Sequence, residues 1–202
     1  MLDLGTDYSA YGIKANNKTT IVVDSNKTNP GKNGTITIKA KTLWSPSGDS
    51  GSKYTAAHGI AVGNFSQRFN KKVSEDLVKT TINADVVIEE LRGGSIKTTG
   101  ISSMDCSDLA INGRFTIKPG AISLMQWNRG DQSKTYGIYM IGSNNTISIT
   151  SADIDDSKNG SLSDLIKTDE SLWGGKTEKN VLRIGGGTLK VKENQKERYL
   201  SL

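Results

Sequence analysis

Short runs in which apolar and polar residues alternate dominate the chain. Thr35-Ile36-Thr37-Ile38 is the clearest, and the pattern returns at Thr146-Ile147-Ser148-Ile149 and Thr188-Leu189-Lys190-Val191. Weaker copies are Thr20-Ile21-Val22-Val23, Thr81-Ile82-Asn83-Ala84 and Thr116-Ile117-Lys118. Side chains along a strand point alternately to opposite faces, so each Ile or Leu shares a buried face with the residue two later. The intervening Thr, Ser, Asn or Lys faces water. A second pattern, aromatic-Gly-Ile-x-small, appears at Tyr11-Gly12-Ile13-Lys14-Ala15, His58-Gly59-Ile60-Ala61-Val62 and Tyr136-Gly137-Ile138-Tyr139-Met140. The two patterns occur in tandem. Asn16-Asn17 lies between them in the first copy and Asn144-Asn145 in the third, while the second copy carries a longer insertion before Thr81. Asn tolerates left-handed backbone, so each tandem predicts two short strands joined by an Asn-containing bend.

Ile13, Ile36, Ile60 and Ile82 are spaced by 23, 24 and 22 residues, and Ile96, Ile117 and Ile138 by 21 and 21. Such spacing is too short for a strand-plus-helix repeat and fits one coil of a β-solenoid, in which each coil buries an Ile on the next. The expectation is an all-β parallel β-helix (β-solenoid) with loop and short-helix excursions. Residues 1–202 form one segment with coils of about 20–24 residues. Ile13, Ile36, Ile38, Ile60, Ile138, Ile147 and Ile149 should be buried. A leucine-rich repeat is excluded because Leu-x-x-Leu-x-Leu is missing. A β-sandwich is the structural rival, disfavoured by the irregular bend lengths.

Three stretches leave the rhythm. Ser45–Thr55 is a polar Ser/Gly loop by composition. Phe65–Lys79 includes Ser74-Glu75-Asp76-Leu77-Val78-Lys79, which reads as a short helix capped by Ser74. Asp155–Asn180 spaces Leu162, Leu165, Ile166, Leu172 and Trp173 as a short amphipathic helix would. Excursions of this kind are where recognition surfaces usually sit.

Composition sharpens this picture. Aromatics are only 6% and hydrophobic residues 34% of the 202 residues, which suits a narrow core of stacked aliphatic side chains. The net charge of +5 is dispersed among acids, without a block of like charges, so no nucleic-acid footprint is expected. No apolar run is long enough to span a membrane. Met1-Leu2-Asp3-Leu4-Gly5 lacks the features of a signal peptide, so either the protein is intracellular or an export signal lies outside this sequence.

Ala10-Tyr11-Gly12-Ile13, Thr135-Tyr136-Gly137-Ile138-Tyr139 and Asn144-Asn145-Thr146-Ile147-Ser148-Ile149 give the chain the look of a passenger domain of a Gram-negative type V autotransporter. The resemblance covers much of the chain as a style of sequence, and scarce cysteine is typical of such passengers. It implies a right-handed parallel β-helix on the bacterial cell surface, anchored in the outer membrane by a translocator barrel absent from this sequence. It also implies adhesion, aggregation or biofilm formation. The partners would be host or bacterial surface glycans or proteins, with self-association among the options.

The chemical candidates are sparse. His58 is the sole histidine and occupies the repeat position of Tyr11 and Tyr136, which favours a structural role. Cys106 is the sole cysteine; flanked by Asp105 and Asp108, it lacks the electropositive setting of a reactive thiol. Gly48-Asp49-Ser50-Gly51 matches a serine-protease nucleophile motif, but it sits in a Ser/Gly loop and the only His follows it. Gly185-Gly186-Gly187 lacks the Lys-Ser/Thr of a phosphate loop and reads as tight coil packing or a turn. Asp153, Asp155 and Asp156 could offer oxygens to Ca²⁺, without a calcium repeat around them. Trp44, Trp127 and Trp173 lie near excursions and could stack on sugars or cover the solenoid's sides. No catalytic, cofactor or metal residues are assigned, and the binding residues are left unknown. The alternatives are a polysaccharide-degrading β-helix of the lyase, hydrolase or tailspike type, and an inert spacer stalk. Degrading enzymes need paired acids, or acids with Arg, on adjacent coils. The outward positions read from the clear strands, Lys14, Thr37, Asn83, Lys118, Ser148 and Lys190, include no carboxylate.

Overall fold

The computed structural model describes residues 10–16, 18–23, 34–41, 56–63, 77–93, 97–124, 134–156, 162–170, 177–193 and 196–201. Every regular element among them is a strand. The first sheet runs β1 (Ala10–Ala15), β4 (Ala57–Gly63), β7 (Lys97–Met104), β10 (Lys134–Ile141) and β12 (Asp164–Asp169), each parallel to the next. The second sheet runs β2 (Thr19–Val22), β5 (Val78–Asn83), β8 (Ser107–Ile117) and β11 (Thr146–Asp155). β13 (Val181–Ile184) and β14 (Gly187–Glu193) then lie end to end along β11. β3 (Thr35–Lys41) pairs with β6 (Asp85–Gly93), and β6 pairs with the second half of β8 and with β9 (Ile122–Leu124). Among the described residues only β15 (Lys196–Ser201) is antiparallel, folded back on β14. Parallel pairing throughout removes the sandwich, whose sheets are antiparallel.

Like residues stack in columns. Ile13, Ile60, Ile101, Ile138 and Ile166 lie in register across the first sheet. Ile21, Ile82, Ile111, Ile149 and Ile184 do so in the second, as do Ile38, Ile88, Ile117, Ile154 and Leu189. This corrects the expected spacing. Ile13 pairs with Ile60, whereas Ile36 pairs with Val86 in the other sheet. A given position returns after 47, 41, 37 and 28 residues along the first column. The interval in the low twenties is therefore a step from one sheet to the other, made between two faces that both present Ile.

The sheets share one apolar core. Ile60, Ile138 and Ile147 are completely buried, and Ile38 and Ile149 nearly so. Burial of each such side chain contributes about 1.5–3 kcal/mol. Ile13 and Ile36, expected to be buried, are half-buried because β1 and β3 have a paired strand on one side only among the described residues. The glycines of the aromatic-Gly-Ile motif mark the close approach of the two sheets. A Cβ on Gly59 would lie 2.5 Å from Ile88 Cδ1 and 2.6 Å from the Gly100 carbonyl. Thr99-Gly100-Ile101 is a further copy of the motif, hidden in the sequence because Thr replaces the aromatic.

The bends between the sheets are stacked as well. Asn144 adopts a left-handed φ of 58°, as expected of an Asn-containing bend, and Cys106 and Lys179 do the same at 54° and 63° without an Asn. Cys106 N donates to Ser143 O, and Asn144 N to Glu178 O. Inside this corner sits the completely buried Asn145. Its Oδ1 accepts from Ser107 Oγ at 2.8 Å, and its Nδ2 donates to Ile141 O at 2.9 Å and Asn180 Oδ1 at 3.1 Å. Asn180 Nδ2 in turn donates to Gly142 O at 2.7 Å. These side-chain bonds tie three successive bends together and satisfy backbone groups that the ladders leave free.

Two expected helices are corrected. Val78 and Lys79 open strand β5, while Ser74, Glu75 and Asp76 lie outside the described residues. Leu165 and Ile166 belong to strand β12, where β10 offers a parallel edge, and Leu172 and Trp173 lie outside the described residues. Ser45–Thr55 also lies outside them.

Candidate functional site

A groove of about 410 Å³ opens on the second sheet where β3, β6 and the turn after β8 meet. Its origin is a β-bulge. Ile38 pairs with Ile88, but Lys39 pairs with Glu90, so β6 carries one extra residue at this point. Strict alternation would turn Glu90 into the core. The extra residue instead lets Glu89 and Glu90 both face outward while Ile88 and Leu91 stay fully buried. Re-aiming side chains in this way is what bulges do at functional rims.

The next strand supplies the opposite wall. Lys118 N donates to Ile88 O at 3.1 Å, extending the ladder one residue beyond β8. The chain then turns, with Ala121 N donating to Lys118 O and Gly120 at φ 70°, and returns so that Ile122 pairs with Leu91 and Ser123 with Arg92. Lys39, Glu89, Glu90, Arg92, Lys118 and Ser123 consequently line one groove across three adjacent strands.

Its electrostatics follow from that stacking. Lys39 Nζ lies 3.0 Å from Glu89 Oε2, and Lys118 Nζ donates to Glu89 Oε1, so each carboxylate oxygen takes an ammonium from a different neighbouring strand. Arg92 Nε lies 2.6 Å from Glu90 Oε1. The hydrogen bonds from Lys118 and Lys39 hold the Glu89 carboxyl below its ordinary pKa, and the bond to Glu89 raises that of Lys39. The pairs are solvent-facing, so their worth lies in aligning charge along the groove more than in stability.

The first sheet carries a second cluster. Tyr139 is buried, donates to Asp169 Oδ2 at 2.9 Å and accepts from Lys97 Nζ at 2.5 Å. Lys167 Nζ reaches Asp169 Oδ1 at 3.4 Å, and Tyr136 stacks on Tyr139 with centroids 5.0 Å apart. Burial, then the bond to Asp169, pushes the Tyr139 phenol far up and keeps it protonated. Burial alone would raise Asp169, but the Tyr139 bond and the charges of Lys97 and Lys167 outweigh it and bring the carboxyl down.

The residues singled out in the sequence are dispersed. His58 occupies the column of Tyr11 and Tyr136, stacked on Tyr11 at 5.2 Å with Nδ1 2.6 Å from Thr99 Oγ1. Burial, then the charges of Lys14 and Lys97, lowers its pKa to about 4. Cys106 sits half-buried at the stacked bend. Asp153 is engaged by Arg114 at 3.3 Å and by the Thr188 amide at 3.1 Å, and Asp156 accepts from the Leu162 amide at 2.9 Å. Among the described residues no group of three His, Cys, Asp or Glu side chains could hold a metal ion. Gly187, at φ 118°, opens β14 hard against the Ala152 carbonyl, which accords with tight packing between neighbouring strands. Ser50 and its motif lie outside the described residues, as do Trp44, Trp127 and Trp173.

The expectation that outward strand positions lack carboxylates is corrected by Glu89 and Glu90 on β6 and by Asp153 on β11. The sequence signal was a phase slip in Val86-Val87-Ile88-Glu89-Glu90-Leu91. Apolar residues two apart are followed by one three further on, with two acids between, which is the mark of a bulge. No helix among the described residues is long and apolar enough to cross a membrane. No family model matches the chain, and no curated protein or solved structure matches it either.

Proposed function

We propose that the chain is a segment of a right-handed parallel β-helix that serves as an extracellular contact scaffold on a bacterial surface, of the adhesin-like autotransporter kind. The parallel columns support the helical reading: consecutive strands feed the two sheets in rotation, and parallel crossovers are right-handed in nearly all proteins. One observation favours contact over turnover. Among the described residues, every displaced pKa moves away from neutrality: Glu89, Asp169 and His58 fall, while Lys39, Tyr136 and Tyr139 rise. General acid–base catalysis uses groups tuned toward the working pH. Glu89 is instead held as a carboxylate between two ammonium groups, which suits a fixed charge pattern read by a partner.

A polysaccharide-degrading β-helix is the second reading, and the groove favours it in one respect. Glu89, Glu90, Arg92 and Lys118 do project from adjacent strands into one depression. The deciding experiment incubates the purified chain with bacterial cells and with acidic and neutral polysaccharides, following both retention and chain cleavage. The scaffold reading expects retention without cleavage. Cleavage abolished by Glu89→Gln or Glu90→Gln would overturn it in favour of the enzyme.

A further inference from the structure

We propose that the groove at the β6 bulge binds a glycan chain bearing carboxylate groups, of the uronic-acid type. The inference rests on the contact-scaffold reading and names the ligand of its groove. Register places Lys41 beside Arg92, and Arg92 beside Ser123, so the cationic border continues past the groove itself. Lys39, Lys41, Arg92 and Lys118 set four cations against the two carboxylates Glu89 and Glu90. Strands in a sheet are about 4.8 Å apart, so these cations extend over about 10 Å along the direction in which strands stack. A volume of about 410 Å³ accommodates one or two sugar rings at a time.

The chemistry of the lining selects among anionic ligands. Among the described residues the lining carries no aromatic side chain, so those residues offer a neutral sugar or a nucleobase no face to stack on. Recognition by them is ionic and through hydrogen bonds. The ammonium and guanidinium groups are donors only, and ionised Glu89 and Glu90 are acceptors only. A ligand that satisfies both must carry negative charge and hydroxyl donors on the same short unit. A uronate ring does so: its carboxylate meets Lys39 or Lys118, and its hydroxyls meet Glu89, Glu90 and Ser123. A phosphodiester backbone or an acidic peptide brings charge without that density of hydroxyl donors, and so leaves the two glutamates unsatisfied.

Glu89 gives the proposal a distinctive consequence. It already occupies the two ammonium groups that a uronate would use, so it acts as an internal competitor. Its neutralisation should tighten binding, which a purely structural Glu89 would not do.

The test is calorimetric titration of the full chain with trigalacturonate and with its methyl ester, which keeps the shape and removes the charge. The acid should bind saturably, and the ester should bind at least about tenfold more weakly. Lys39→Gln combined with Lys118→Gln should weaken the acid by about tenfold or more, and Glu89→Gln should strengthen it severalfold. Equal binding of acid and ester, no saturable binding of the acid, or indifference to the lysine pair would overturn the proposal. Preference for a single-stranded oligonucleotide over trigalacturonate would overturn it in favour of nucleic acid. Failure here with cell retention intact sinks the ligand and spares the scaffold. Binding accompanied by cleavage to unsaturated products sinks the scaffold and spares the ligand.

Discussion

Acidification should destabilise the protein through His58, and the size of the effect can be worked from its surroundings. The ring stacks on Tyr11, bonds to Thr99 and faces the ammonium groups of Lys14 and Lys97. Burial and those cations lower its pKa from 6.5 to about 4, so the fold admits the neutral ring far more readily than the charged one. The folded pKa lies below the unfolded one. The neutral ring's contribution is therefore fully present above about pH 6.5 and is lost as pH falls from there toward 4. Each tenfold in proton affinity is worth about 1.4 kcal/mol, which sets a ceiling of about 3 kcal/mol on the loss. Urea unfolding midpoints at pH 7 and pH 4 measure it. The control is His58→Tyr, because Tyr already fills this column in β1 and β10; His58→Gln serves if the larger ring does not fit. Glu89 and Asp169 also titrate in acid, but they do so equally in both proteins, so the difference isolates His58. If the variant loses as much stability as the parent between pH 7 and pH 4, the reasoning fails.

Two further predictions concern the stack. Ile147→Ala should cost about 2–5 kcal/mol in thermal or urea unfolding, because it removes a completely buried side chain, while Ser148→Ala should cost much less; equal costs would contradict the alternation. Asn145→Ala should cost about 1–3 kcal/mol by leaving Ser107, Asn180 and the Ile141 carbonyl without their shared partner, with hydrogen exchange accelerated at the Asn144 and Val181 amides; unchanged exchange there would refute the corner network.

How much of this was legible in the sequence depended on whether a local pattern reported a global fact. Thr146-Ile147-Ser148-Ile149 did, because alternation fixes which face is buried regardless of what lies opposite. Tyr11-Gly12-Ile13 and Tyr136-Gly137-Ile138 did too, since both fill the same columns of the first sheet. The bend at Asn144 was readable because Asn takes left-handed backbone at little cost, whereas the bends at Cys106 and Lys179 adopt the same conformation without such a signal. The repeat length was not readable from Ile spacing, because both sheets present Ile to one core and a step between sheets resembles a full return. The groove was hidden for a related reason. Glu89 and Glu90 interrupt the alternation of β6, so a search for clean strands passes over the segment where the strand bulges outward. Lys39 and Lys118 meet at Glu89 only through register, and they stand 79 residues apart in the sequence.

Parallel, in-register pairing of strands underlies every column and the groove, and all five strands of the first sheet share it. Cross-strand backbone nuclear Overhauser effects test it most directly. With the amides assigned, they should connect β4 to β7 around Ile60 and Ile101, and β7 to β10 around Ile101 and Ile138, in the parallel pattern. Antiparallel cross-peaks between these strands, or ladder contacts joining Ile60 directly to Ile82, would contradict it.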